Sequence, residues 1–202
     1  MTLYDLKPRF QSLLRPLVRR LAAAGVTANQ VTLLAALGSI AIGALLCFHW
    51  YNHALFILLT LWLGVRMALN AIDGMLAREF GQKSRLGGYL NELCDVVSDA
   101  ALLLPFAFIA PFSPLMVFAV IGLAVLAEYA GVMGPLVGAS RRYDGPLGKS
   151  DRAALIGALA LWIGLGLPLG AWMAWAMPLA ALLLVLTTIN RVRRGLQEGN
   201  VA

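Results

Sequence analysis

Six apolar stretches divide the chain, at about 30–50, 53–79, 86–110, 114–138, 152–168 and 171–192. Each is long enough to cross ~30 Å of hydrocarbon as a helix rising about 1.5 Å per residue. They predict an all-α integral membrane fold of six transmembrane helices. With 60% hydrophobic residues and a mean hydropathy of +0.80, the 202-residue chain has no stretch left for a second, soluble domain. Residues 1–202 are therefore read as one membrane domain, with the bundle over about 30–192. Pro111, Pro114, Pro168 and the FHWYNH run at 48–53 mark short turns on one side. Cys47 and Cys94 fall in different apolar stretches and show neither metal nor redox spacing, as suits small buried residues.

Charge orients the bundle. Lys7, Arg9, Arg15, Arg19 and Arg20 precede the first stretch, and Arg78, Lys83 and Arg85 flank the second connection. Arg141, Arg142, Lys149 and Arg152 flank the fourth, and Arg191, Arg193 and Arg194 follow the last stretch. Fifteen of the sixteen basic residues thus share one side, with Arg66 left deep inside the second stretch. By the positive-inside rule both termini face the cytoplasm, and the net charge of +6 reports topology rather than nucleic-acid binding. A bacterial inner (cytoplasmic) membrane is the expected location. The basic N-terminus lacks the pattern of a cleavable signal peptide. Residues 4–21 instead place Phe10, Leu13, Leu14, Leu17 and Leu21 on one stripe, largely apart from the arginines. That pattern predicts an amphipathic helix lying in the interface on anionic lipid.

Polar residues interrupt the second and third stretches at helical spacing. Asn70, Asp73, Gly74 and Ala77 share one face of the second, and Gly87, Asn91, Asp95 and Asp99 recur at four along the third. Counted inward from residues 79 and 86, Asp73 and Asn91 lie roughly 8–9 Å deep, and Asn70 and Asp95 about 13–14 Å. Arg66 and Asp99 lie about 19–20 Å deep by the same count. Ionisable residues at such depth are costly and mark function or compensating pairs. Oxygen ligands beside small residues suit a hard divalent cation, Mg²⁺ or Mn²⁺. A seam of close helix packing with hydrogen bonds across it is the alternative.

Asn70-x2-Asp73-Gly74-x2-Ala77-Arg78-x8-Gly87-x3-Asn91-x3-Asp95 resembles, without a gap, the D-x2-D-G-x2-A-R-x8-G-x3-D-x3-D signature of the CDP-alcohol phosphotransferases. The run VTANQVTLL before the first stretch is similar to that family's first-helix start, with Ala28 where proline is usual. The resemblance implies a reaction in which an alcohol hydroxyl attacks the lipid-bearing phosphorus of a CDP-alcohol, usually CDP-diacylglycerol, and CMP leaves. It implies that Asp73 ligates metal and that Asp95 acts as general base near the metals. Gly74, Ala77 and Gly87 then make room at the nucleotide, with Arg78 near its phosphates. The family also implies a homodimer. Here the first and third aspartates are Asn70 and Asn91, so the four positions carry two formal negative charges instead of four. Either one metal suffices, or Asp99 joins the site, or catalysis has been lost. In the last case the protein is a catalytically silent CDP-lipid-binding or regulatory protein.

Two further expectations concern the remaining charges. Arg66 and Asp99, level by depth, are expected to pair, with Glu128 as the alternative partner. In RRYDGPLGKSDRA, residues 141–153, Arg141, Lys149 and Arg152 are expected to hold the phosphate of a phosphorylated acceptor near a helix N-terminus. Topology and lipid headgroups explain the same residues without an acceptor. A transporter is a third class, but the chain lacks the inverted repeat expected of one.

Overall fold

The computed structural model describes residues 3–199, with side chains described from Phe10 onward. Lys7 and Arg9 therefore lie outside the described side chains. The described residues are helical, with no strand among them. Seven α-helices follow in order: α1 (Leu3–Ala23), α2 (Ala28–Phe48), α3 (Phe56–Glu79), α4 (Arg85–Leu103), α5 (Pro114–Val132), α6 (Lys149–Gly164) and α7 (Ala176–Gly199). Short 3₁₀ turns extend several of them, at His53–Leu55, Leu104–Phe108, Gly134–Val137 and Ala171–Trp175.

Four of these segments are long and apolar enough to cross a membrane: Ala28–Phe48, His53–Glu79, Pro114–Val132 and Ala171–Gly199. The other two apolar stretches form more polar or shorter helices. Helix α4 carries Glu92, Asp95 and Asp99 along its 19 residues, and α6 has only 16, about 24 Å of helix.

The chain divides into two compact units. One comprises Met1–Ala41 and Leu61–Ser98, the other Ile42–Thr60 and Asp99–Ala202. In the first, Val18 of α1, Ala28 and Val31 of α2, and Ile72, Met75 and Leu76 of α3 form a buried cluster. Leu14, Leu21, Val26 and Leu69 pack against it, while Leu13 and Leu17 remain 76% and 47% exposed. Gly25, at φ 77°, turns the chain from α1 into α2. A reciprocal cap then starts α2: the Thr27 hydroxyl accepts from the Gln30 N–H at 3.2 Å, and the Gln30 side chain accepts from the Thr27 N–H at 2.9 Å. Gln82, in the α3–α4 connection, accepts from the Ala28 N–H at 2.7 Å and donates to the Val26 carbonyl at 3.3 Å. Deeper in the unit, Gly38 admits the Trp62 ring, whose Nε1 donates to Ser39 at 3.0 Å.

In the second unit, the rings of Phe56, Phe106 and Phe112 pack edge to face at 5.7 Å. Gly43 lies so near the Ala101 carbonyl that a Cβ there would be 2.2 Å from its oxygen. Buried residues recur at three- and four-residue steps on α5 (Val117, Val120, Ala124, Ala127, Gly131) and on α7 (Met177, Ala180, Leu184, Thr187, Arg191, Gly195). The α5–α6 connection is tied to α7. The Leu147 N–H donates to the Thr187 hydroxyl at 3.0 Å, and Glu198 receives Ser140 and Arg142.

Candidate active site

Within the first unit, α2, α3 and α4 meet around the motif residues. Asp73 is buried on α3, and its Oδ2 lies 2.9 Å from the hydroxyl of Thr32 on α2. That hydroxyl has one proton and two acceptors, the Ala28 carbonyl at 3.1 Å and the closer Asp73 carboxylate at 2.9 Å. Three residues before Thr32, Asn29 closes over α4: a Cβ on Gly87 would stand 2.9 Å from its Oδ1. The capped start of α2 therefore touches both the motif aspartate of α3 and the motif glycine of α4. Neither Thr32 nor Asn29 was singled out from the sequence, although both lie in the VTANQVTLL run.

Asp95 is set by a guanidinium. Arg66 of α3, 4% exposed, donates through Nη2 to Asp95 Oδ1 at 3.2 Å and to the Asp95 carbonyl at 3.3 Å. Asp99 takes a different arginine: Arg152 donates to its Oδ2 from Nη2 at 2.9 Å and from Nε at 3.3 Å. The expectation paired Arg66 with Asp99; the contacts described for these residues are Arg66–Asp95 and Arg152–Asp99. The Arg66–Asp95 pair ties α3 to α4.

Asn70, Asn91, Gly87 and Ala77 are half-buried, and Ala77 packs against the Val18–Met75 cluster. Gly74 makes room for a neighbour on its own helix, because a Cβ there would lie 2.8 Å from Nη2 of the exposed Arg78. Among the described residues no three His, Cys, Asp or Glu side chains converge on a point.

The basic connection belongs to the second unit. Arg152 is 3% exposed, and beyond Asp99 it reaches Glu128 Oε1 at 2.8 Å and the Leu147 carbonyl at 3.4 Å. Arg141 lies 3.5 Å from Glu128 Oε2, donates to the Tyr143 hydroxyl at 2.7 Å and stacks over that ring at 4.5 Å. Lys149 is the half-buried first residue of α6.

An all-helical chain with membrane-crossing helices and buried acids beside a capped helix start defines a membrane-embedded polar site. Its family follows from comparison. Residues 25–189 match the model of the CDP-alcohol phosphatidyltransferases, and the chain belongs to that family. It is 46% identical over 197 residues to the inner membrane protein YnbA of Escherichia coli K12, covering 96% of each chain. It is 28% identical over 175 residues to an archaetidylinositol phosphate synthase of Pyrococcus horikoshii, covering 86% of this chain and 90% of that one. Among solved structures, Mycobacterium tuberculosis phosphatidylinositol phosphate synthase with CDP-DAG bound superposes with a TM-score of 0.74. The superposition covers 89% of this chain and 92% of that one, and at 22% identity it shows the shared fold. The same enzyme in complex with manganese and citrate gives 0.72.

Proposed function

We propose that this chain transfers the phosphatidyl group of CDP-diacylglycerol to a polar alcohol and releases CMP at the cytoplasmic face of a bacterial inner membrane. The observation that carries the reading is Asp73, buried and held by Thr32, within a family motif whose spacing is intact. The alcohol oxygen attacks the phosphorus that bears the lipid, the bond from that phosphorus to the CMP oxygen breaks, and the hydroxyl proton passes to a carboxylate. Asp95 is that base, with Arg66 fixing its Oδ1 and so the direction of the carboxylate. Arg78 faces the donor's phosphates once its guanidinium swings from Gly74, and Gly74, Ala77 and Gly87 keep the nucleotide's path narrow and free of side chains.

The donor set fits a hard cation. Asp73, Asp95 and the amide oxygens of Asn70 and Asn91 are all oxygen ligands. Their two negative charges, one already facing Arg66, suit one Mg²⁺ or Mn²⁺ better than two. When bound, such an ion neutralises the pyrophosphate and stabilises the leaving CMP. Further parts of the reading are six membrane crossings with cytoplasmic termini, a homodimer, and α1 lying on lipid. Exposed Leu13 and Leu17 support the last of these.

One observation favours a second reading, a CDP-lipid-binding protein without turnover: the base Asp95 is engaged by Arg66, and two motif acids are amides. Purified protein with CDP-diacylglycerol, Mn²⁺ and a pool of alcohols separates the two. CMP release with a new lipid in the mass spectrum supports the transferase. Metal-dependent CDP-diacylglycerol binding with no CMP supports the binding protein, and neither signal removes both readings.

A further inference from the structure

Ala28 is the first residue of α2, so its N–H has no acceptor within the helix. The acceptor comes from another part of the same unit. Gln82 accepts from that N–H through Oε1 at 2.7 Å, and its Nε2 donates to the Val26 carbonyl at 3.3 Å. Gln82 stands in the spacer of the motif, between Arg78 and Gly87. We infer that Gln82 is a positioning residue for Asp73, acting through Ala28 and Thr32 to aim the carboxylate at a divalent cation. The inference rests on the reading of Asp73 as a metal ligand.

Each link in this path is a contact within the first unit. Gln82 holds Ala28 by its N–H, and the Ala28 carbonyl lies 3.1 Å from the Thr32 hydroxyl. The same hydroxyl reaches Asp73 Oδ2 at 2.9 Å. It has one proton to give, so the placement of Ala28 bears on which oxygen receives it. The Thr27–Gln30 cap satisfies the N–H groups of those two residues and leaves that of Ala28 to Gln82. Without Gln82 that N–H, on a residue only 6% exposed, loses its acceptor, and the start of α2 shifts to find another. A shift of about 0.6 Å carries the Thr32 hydroxyl beyond hydrogen-bonding distance of Asp73. A proline at position 28 would need no acceptor, since it has no N–H and its fixed φ suits the first turn of a helix. Its ring would fall where the Gln82 oxygen now lies, 2.7 Å from the nitrogen. A proline there and Gln82 therefore exclude each other.

Two double-mutant cycles on the full chain in detergent test this. Mn²⁺ binding is read from the electron paramagnetic resonance of the free ion, and the melting midpoint is read by tryptophan fluorescence in EDTA. Gln82→Ala should weaken Mn²⁺ binding on the order of tenfold, the effect typical of a group that orients a ligating side chain. Added to Thr32→Val, it should change binding by less than about twofold, because the path runs through that hydroxyl, whereas independent effects would multiply and overturn the path. Ala28→Pro alone should melt below the parent, because its ring meets the Gln82 oxygen. Ala28→Pro combined with Gln82→Ala should melt above either single variant and bind Mn²⁺ nearly as the parent does. A double variant that melts below both singles overturns the inference. If Gln82→Ala does not fold, the double variant decides: folded, it supports the bond to Ala28, and unfolded, it overturns it. A parent that binds no Mn²⁺ overturns the metal reading and this role of Gln82 with it. A parent that binds Mn²⁺ no better than Gln82→Ala overturns the role alone.

Discussion

Thr32 offers the sharpest perturbation of the candidate site, because its valine isostere removes one hydroxyl and little else. In the structure that hydroxyl lies 2.9 Å from Oδ2 of the buried Asp73. A hydrogen bond to a charged group contributes about 1.5–3 kcal/mol. The added methyl returns up to about 0.8 kcal/mol of burial, leaving a net loss of ~1–2 kcal/mol. For a chain of this length that lowers the melting midpoint by about 2–4 °C per kcal/mol, a modest change. The larger expected effect is on metal use, since groups that orient a ligating side chain typically alter affinity by ~10–100-fold. Thr32→Val should therefore raise the Mn²⁺ concentration needed for half-maximal CMP release by about that factor, while Thr32→Ser, which keeps the hydroxyl, should resemble the parent. A Thr32→Val protein with the parent's Mn²⁺ dependence would refute the claim that this hydroxyl orients a metal-ligating Asp73.

Asp73→Asn should abolish metal-dependent nucleotide binding together with turnover, whereas Asp95→Asn should keep most nucleotide binding and lose on the order of 10²–10⁴ in rate, as read by CDP-diacylglycerol binding beside CMP release. Arg66→Met should be strongly destabilising, by about 3–5 kcal/mol in a thermal or denaturant series, because it leaves Asp95 without that cation, and a variant as stable as the parent would count against the pair. Gly43→Ala should cost about 1–3 kcal/mol or force α2 from α4, because the new Cβ falls 2.2 Å from the Ala101 oxygen, and an unchanged melting midpoint would contradict that contact. Arg15→Ala, which removes an exposed two-bond contact to Glu79 at 3.0 and 3.2 Å, should change stability by no more than about 1 kcal/mol.

What the sequence made legible was whatever depends on spacing along one helix. The family motif is a row of steps on α3 and α4, and four of the six apolar stretches are helices long and apolar enough to cross a membrane. What stayed hidden depends on reach between helices. Gln82 reads as a polar loop residue, yet it braces the start of α2 by bonding both Ala28 and Val26. Thr27-x-x-Gln30 is a capping signature visible in the sequence and would have placed the helix start at residue 28 rather than near 30. From that start, Asn29 and Thr32 lie one turn apart on α2, which is the signal that could have drawn both toward the site. Glu128 was visible as a lone acid in an apolar stretch, but its partners come from residues 141, 152 and 191, which no local pattern connects.

The two buried charge clusters use the same residue types in opposite proportion, and this bears on the chemistry each can perform. Around Asp95 one arginine faces one carboxylate, and Asp73 accepts from a hydroxyl. In the second unit three arginines enclose two carboxylates, and both Arg152 and Arg191 are fixed through all three nitrogens. A cluster so cross-linked resists movement, because withdrawing one member leaves a buried charge unpaired. The second arrangement suits a rigid brace within its own unit. Asp99 belongs to the second cluster through its two bonds from Arg152, as Asp95 belongs to the first through Arg66.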